Sequence, residues 1–218
     1  MISLIIPTQS KQKEYTDSII KNIEQLYPDR TEVEIVVTVD DEATLGQNYN
    51  NAVRFANGEK IILLHNDMVL SKGFVETMNR HIQKGRITTY TRVEPPVFPG
   101  EMPGKVIYDC GNDLETFDAN KWNSFYMPET LSNGGSQLFF GCMKEDYIGI
   151  DGDTFKMFCE DDDLHLRYNI LGFQKVVSSA HVYHFVSKTS RSSEESYQIE
   201  MRSREAFQKK WNSIIYIK

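Results

Sequence analysis

The sequence predicts an α/β protein with a central, mostly parallel sheet flanked by helices. Three observations carry this. Strand-like and helix-like patterns alternate strand, helix, strand, helix, strand, helix within about ninety residues, as repeated βαβ units do. The strand-like runs are apolar on both faces, as in a sheet covered on both sides. Each run ends in an oxygen-bearing cluster, and in open α/β sheets the ligand crevice lies outside the carboxyl ends of the strands.

Taken in order, Ile2–Ile6 is the first strand and stops at Pro7-Thr8. Tyr15, Ile19, Ile20, Ile23 and Leu26 recur at helical spacing, and Pro28-Asp29 closes that helix. Val33–Val39 is a β-branched strand ending in Asp40-Asp41. Leu45, Tyr49, Ala52, Val53 and Ala56 mark a second helix, ended by Asn57-Gly58. Ile61–Leu64 is a third strand running into His65-Asn66-Asp67, and Phe74, Met78 and Ile82 form a third helical face. From Arg92 to Ser136 the pattern weakens: Pro95, Pro96, Pro99 and Pro103 interrupt any helix, Gly134-Gly135 ends the stretch, and Trp122, Phe125 and Tyr126 are scattered through it. This reads as a loop-rich insert over the crevice, its aromatics either facing a substrate or packed on the core. Gln137–Cys142 resumes a strand, and Lys144–Ile150 reads as a short helix before the turn Asp151-Gly152-Asp153. Val176-Val177 and His181–Val186 are strands, and Glu194 to Trp211 is a charged helix with Phe207 and Trp211 on one face.

Composition bounds the function. The chain has 218 residues, 40% hydrophobic and 25% charged, which suits one globular domain over 1–218. Net charge −7 argues against a nucleic-acid partner, which needs a basic face. Cys110, Cys142 and Cys159 form no CxxC pair, so neither a zinc knuckle nor a disulfide framework is expected, and reduced thiols point to a cytoplasmic location. The apolar start Ile2–Ile6 has no basic flank and is too short for a leader or a transmembrane segment.

Two acidic sites stand out. Glu160-Asp161-Asp162-Asp163 precedes Leu164, Tyr168 and Leu171 at helical spacing. Carboxylates at a helix N-terminus are favoured in their ionised form, and an ionised carboxylate on a rigid element can take a proton from a hydroxyl. The same run also fits a capped, solvated helix start. Asp67, after a buried strand, suits a hard divalent cation such as Mn²⁺ or Mg²⁺, or equally caps the next turn with Asn66. Asp163 and Arg167, four apart, suit an ion pair. His181 and His184 fall on opposite faces of a regular strand, so at most one can ligate a given ion.

In order and spacing the chain resembles the family 2 glycosyltransferases of GT-A fold, particularly the rhamnosyltransferase-like members. The resemblance rests on Ile5-Ile6-Pro7-Thr8, on Val39-Asp40-Asp41, on Asn50 with Ala56 and Gly58, and on His65-Asn66-Asp67 at the DxD motif. It continues through Gly141-Cys142, Gly152-Asp153, Glu160 to Arg167, Leu171-Gly172-Phe173, Val182-Tyr183-His184 and Phe207 to Trp211. It implies a 1–91 nucleotide-sugar-binding half and a 92–218 acceptor-binding and catalytic half, and that Pro7, Thr8 and Asp41, with Asp40 beside them, contact the base or ribose of a nucleoside-diphosphate sugar donor. Asn50 belongs to the same nucleotide-binding set, and Asn66 would approach ribose or diphosphate. Asp67 would bind the Mn²⁺ or Mg²⁺ that bridges the diphosphate, with His184 a further metal ligand or a diphosphate contact. Asp161 would be the general base that activates an acceptor hydroxyl on a glycan, glycoprotein or lipid-linked sugar, with inversion. His65 replaces the first acidic residue of DxD, so metal binding would rest mainly on Asp67. That departure also keeps open a non-catalytic nucleotide-sugar or glycan-binding module. A sugar-phosphate nucleotidyltransferase would want a Gly-rich basic loop after the first strand, which Pro7-Thr8-Gln9-Ser10 is not.

Overall fold

The first strand, β1 (Ile2–Thr8), is buried along its whole length because parallel neighbours flank it on both sides, β2 (Val33–Val39) and β3 (Lys60–Leu63). The computed structural model that gives these elements describes residues 1–97, 100, 102–135, 138–186 and 194–215, with only the backbone of 194–196 and 213–215. Helices α1 (Lys13–Leu26) and α2 (Leu45–Phe55) connect the three strands and bury Ile19, Ile23, Tyr49, Ala52 and Val53 against them. Each fully buried Ile or Leu of this kind contributes about 1.5–3 kcal/mol. Thr44 starts α2 with a reciprocal cap: its Oγ1 accepts from Gln47 N at 3.2 Å while Gln47 Oε1 accepts from Thr44 N at 2.9 Å. Gly58 is needed for close approach, since a Cβ there would lie 2.6 Å from Ser3 Oγ.

The chain continues through β4 (Met68–Leu70), α3 (Phe74–His81), β5 (Arg86–Glu94), β6 (Lys105–Ile107), α4 (Ala119–Ser124), β7 (Leu131–Asn133) and β8 (Phe140–Met143). It ends in α5 (Glu160–Ile170), β9 (Gln174–His184) and α6 (Glu194–Ile215). Among the described residues the strands form one nine-stranded sheet in the order β2-β1-β3-β8-β5-β9-β4, with β6 beside β5 and β7 beside β9. Following the pairings, β1, β2, β3, β5, β6 and β9 share one direction and β4, β7 and β8 oppose it. The sheet is therefore mostly parallel, with apolar clusters packed on its faces. It also runs unbroken through residue 91, where β5 passes.

Several local expectations change. The stretch from Arg92 to Ser136 is not loop-rich throughout: β5 reaches Glu94, and β6, α4 and β7 follow. β5 lacks an apolar run because Thr88, Thr89 and Thr91 fill it. Thr88 and Thr91 are buried all the same, their hydroxyls donating to His81 O at 3.2 Å and Ser178 O at 2.8 Å. Trp122 is buried with Cys110, Tyr183 and Phe185, and Tyr126 is exposed. Only one turn, Lys144–Asp146, is helical where a helix to Ile150 was expected: the backbone is already extended at Tyr147, and Gly149 then turns left-handed. The strand expected over Gln137–Cys142 begins at Phe140; Pro99, Ser136 and Gln137 lie outside the described residues. The two late strands are one, β9. Leu164 and Tyr168 are buried as expected, but Leu171, at the end of α5, is exposed.

Candidate active site

One cavity of about 740 Å³ opens at the carboxyl ends of β1 and β3. Pro7, Thr8, Asn66, Asp67, Asp161 and His184 all line it. Residues 94 positions apart in the chain thus share one wall, the count running from Asp67 to Asp161. The start of α2 contributes Ala43, Thr44 and Leu45, and α6 contributes Glu200 and Arg204.

The β1 and β3 ends are pinned to one another. Asn66 Nδ2 lies 3.0 Å from Thr8 Oγ1, 3.1 Å from Gln12 Oε1 and 3.3 Å from Thr16 Oγ1. Asn48 Nδ2 donates to Thr8 O at 3.2 Å. Asp40 and Asp41 do not line the cavity. Asp41 accepts from Ser10 N at 2.8 Å and Ser10 Oγ at 2.5 Å, and Asp40 Oδ1 accepts from Glu42 N and Ala43 N, so together they shape two loops at the rim. Asn50 lies away from the cavity: it accepts from Tyr147 OH at 2.8 Å and Ile150 N at 2.9 Å and donates to Ile150 O at 2.7 Å, tying down the segment after β8.

The position of His184 follows from strand register. β4 and β9 pair antiparallel with Met68 opposite His184, and Phe185 N donates to Asp67 O at 3.1 Å. His184 Nε2 therefore comes within 3.5 Å of Asp67 Oδ1, an ion-pair distance. On its other side β9 runs parallel to β5. The partner of Tyr90 is Ser178, but the partner of Thr91 is His181, so Ser179 and Ala180 are extra residues on β9. This irregularity brings His184 rather than Val182 alongside Glu94. His184 Nδ1 and Glu94 Oε1 are 2.9 Å apart, both buried. Arg92 Nη1 lies 3.0 Å and Lys105 Nζ 3.6 Å from the same carboxylate. Lys105 is there because it is the β6 partner of Arg92. His181, on the other face, packs against Trp122 and Phe125.

Sequence reasoning missed Arg92, Glu94 and Lys105. The readable signal was the alternation Arg92-Val93-Glu94, which puts two charges on one face of a buried strand. It also missed His65 as a donor. His65, Asp67 and His184 each offer an atom within 4.8 Å of the others. His65 Nε2 and Asp67 Oδ1 are buried and make no hydrogen bond. Nitrogen, oxygen and nitrogen converging at such a spacing fit a divalent cation.

Those are not the only such atoms here. Asn48 Oδ1, Arg92 Nε and Glu160 Oε2 are also buried without a hydrogen bond, and all three residues line the cavity. Each unsatisfied buried group costs about 1–3 kcal/mol. Their concentration around one cavity marks a place built for a polar ligand.

The charges differ across the cavity. Burial would raise the Asp67 carboxyl, but His184 and His65 outweigh it and hold it low. Burial works against charge on His184, yet Asp67 and Glu94 push it up to about 9. Burial brings His65 down to about 4 against the pull of Asp67. At α5 the sign reverses. Burial, reinforced by Asp161 and Asp162, lifts Glu160 to about 7, and burial with Asp162 raises Asp161. The helix N-terminus thus fails to keep these two carboxyls in their ordinary range, contrary to the sequence expectation, because desolvation and like charge outweigh it. Asp163 is diverted from the cavity: fully buried, it takes Arg167 Nε at 2.8 Å, Lys210 Nζ at 2.7 Å and Trp211 Nε1 at 3.0 Å. The segment entering α5 is strained, with Phe158 and Cys159 left-handed at φ 68° and 63°, a departure of about 1–3 kcal/mol each. Helix α6 braces it through Ser203 Oγ, which donates to Met157 O at 2.6 Å.

No family model matches the chain, and no curated protein matches it. Solved structures do. TarS of S. aureus, residues 1–349, aligns at 11% identity and TM-score 0.58 over 97% of this chain and 73% of that one. GalNAc-T7 with UDP, GalNAc and Mn²⁺ aligns at 10% identity and TM-score 0.61 over 84% of this chain and 43% of that one. A further TarS structure aligns at 15% identity and TM-score 0.56 over 91% and 38%. The fold is GT-A, that of these glycosyltransferase structures. No helix among the described residues is long and apolar enough to cross a membrane.

Proposed function

We propose that the chain transfers a sugar from a nucleoside-diphosphate sugar to an acceptor hydroxyl, with a divalent cation assisting and with inversion. The observation that carries the reading is one cavity, in a GT-A sheet, lined by both Asp67 and Asp161. The order of motifs, that of the rhamnosyltransferase-like family 2 enzymes, supports it, as does a fold neighbour solved with UDP, GalNAc and Mn²⁺. The acceptor would be a glycan, glycoprotein or lipid-linked sugar.

Asp67 and His184 would hold the cation, which when bound supplies Lewis acidity to the departing diphosphate. The chain's own residues do the rest. Thr8 and Asn66, locked together, form the floor against which the nucleotide rests. Arg92, a buried cation whose Nε makes no hydrogen bond, sets positive charge on the cavity within the electrostatic reach of Asp161. Asp161 accepts the acceptor's proton as the new oxygen–carbon bond forms and the carbon–diphosphate bond breaks. Its raised affinity for a proton suits that role, because a base works best when its pKa nears the working pH. Asp162 N–H donates to Asp161 Oδ1 at 2.9 Å and orients the carboxylate.

The test is a panel of nucleotide sugars screened for thermal stabilisation and hydrolysis with Mn²⁺ or with chelator. A transferase gives turnover with at least one donor. Stabilisation by a donor with no turnover towards water or any acceptor would instead mark a binding module.

A further inference from the structure

We propose that His65 is itself a metal ligand and sets the choice of cation: the site takes a borderline transition-metal ion and rejects Mg²⁺. The inference deepens the metal-assisted reading and rests on it for the cation's purpose. The binding is measured without turnover.

The position is rigid from both sides. Before it, Leu64 N donates to Ile5 O at 2.9 Å and Leu64 O accepts from Tyr49 OH at 2.9 Å. After it, Asn66 is pinned to Thr8, Gln12 and Thr16. The ring packs on Phe139 with centroids 4.6 Å apart and meets His184 edge-on at 5.9 Å. Packing alone would explain a half-buried ring. It does not explain why Nε2 is left without a hydrogen bond near Asp67 Oδ1, an atom that itself makes no hydrogen bond and has only His184 Nε2 at 3.5 Å as an ion-pair contact. A cation between them satisfies both atoms at once.

The donor set then fixes the selectivity. Mg²⁺ favours oxygen ligands and gives up water reluctantly, so two imidazoles against one carboxylate suit it poorly. Imidazole binds later first-row ions more strongly, in the order Mn²⁺ below Fe²⁺ below Co²⁺. An acidic residue at 65 would supply oxygen; histidine supplies nitrogen. The second histidine is already oriented for this: with Nδ1 on Glu94, His184 presents Nε2 to the same point.

The experiment is electron paramagnetic resonance of Mn²⁺ titrated into the full chain, with Mg²⁺ and Co²⁺ as competitors. The wild type should bind Mn²⁺, yield it to Co²⁺ at lower concentration, and need about a 100-fold excess of Mg²⁺ for displacement. Nitrogen modulations in the bound spectrum should report two imidazoles. In His65→Asp one nitrogen should be lost and Mg²⁺ should compete within about tenfold of Mn²⁺. Equal competition by Mg²⁺ in the wild type, a single nitrogen coupling, or an unchanged ratio in His65→Asp would overturn the proposal. So would the absence of Mn²⁺ binding. Should His65→Asp not fold, the wild-type competition and nitrogen count decide alone. Failure to bind Mn²⁺ alongside turnover that persists in chelator leaves the transferase reading standing while this inference falls, so the two fail separately.

Discussion

Asp67 and Asp161 line the same cavity, yet their surroundings push them in opposite directions. Asp67 is the more deeply buried, and burial alone would neutralise it; two histidines keep it ionised. Asp161 sits at a helix N-terminus, a setting that favours charge, yet burial and Asp162 make it hold its proton more tightly. Identical side chains are thus given different chemistries by their neighbours: one a permanent anion suited to a cation, the other a carboxylate suited to exchanging a proton. Position at a strand end or helix start is not enough to tell these apart. The charges within a few ångströms are.

The sharpest way to break the contrast is Asp161→Asn. Turnover should fall about 10²–10⁴-fold, the range of a lost general base, while donor affinity by calorimetry stays near wild type. Equal losses in both would mean that Asp161 binds rather than reacts. Next is Asp67→Ala, expected to lower Mn²⁺ affinity by about 100-fold and to take metal-dependent donor binding with it. Donor affinity identical in chelator and Mn²⁺ for the wild type would remove the asymmetry altogether. Glu94→Gln should weaken Mn²⁺ binding about tenfold in a protein that still folds, because the amide holds the His184 ring less firmly. Unchanged affinity would make Glu94 only a partner for Arg92 and Lys105.

The smallest effect concerns Glu160. Its folded-state carboxyl is raised from 4.5 to about 7, so the folded protein binds the proton more tightly than the unfolded chain. The stabilisation is complete below pH 4.5 and is lost as pH rises through 7. Glu160→Gln should therefore gain stability relative to wild type above pH 7, by roughly 1–2 kcal/mol after relaxation of the buried charge, and nothing near pH 4. Denaturant melts at the two pH values measure it, and a pH-independent difference would contradict the assigned burial.

Much of the first half was legible in the sequence because each element announces itself in apolar residues. Val33–Val39 has the bounds expected of it, and the helices over Ile19 and Tyr49 bury the faces their spacing indicates. β5 was not legible. Thr88 and Thr91 satisfy their hydroxyls on carbonyls of neighbouring segments, a fact of tertiary contact that periodicity cannot carry. The site divides the same way. Thr8, Asn66, Asp67, Asp161 and His184 come together on one cavity from positions that the sequence singled out. Asn50 matched by spacing alone and is occupied elsewhere, on Tyr147 and Ile150. Glu94 could not be read as a partner of His184, since their meeting depends on two extra residues in β9 that only pairing reveals. Asp163 pairs with Arg167 as its spacing indicates, but its full burial and its contacts with Lys210 and Trp211 were not readable, since α6 brings those partners from far along the chain.

The most direct test is a crystal of the full chain grown with Mn²⁺ and UDP, with anomalous data collected at the manganese edge. The peak should lie among His65, Asp67 and His184, with diphosphate density in the same cavity and Asp161 facing the vacant side where a sugar would sit. A manganese peak or nucleotide bound outside this cavity would contradict the assignment of the two carboxylates to one reaction.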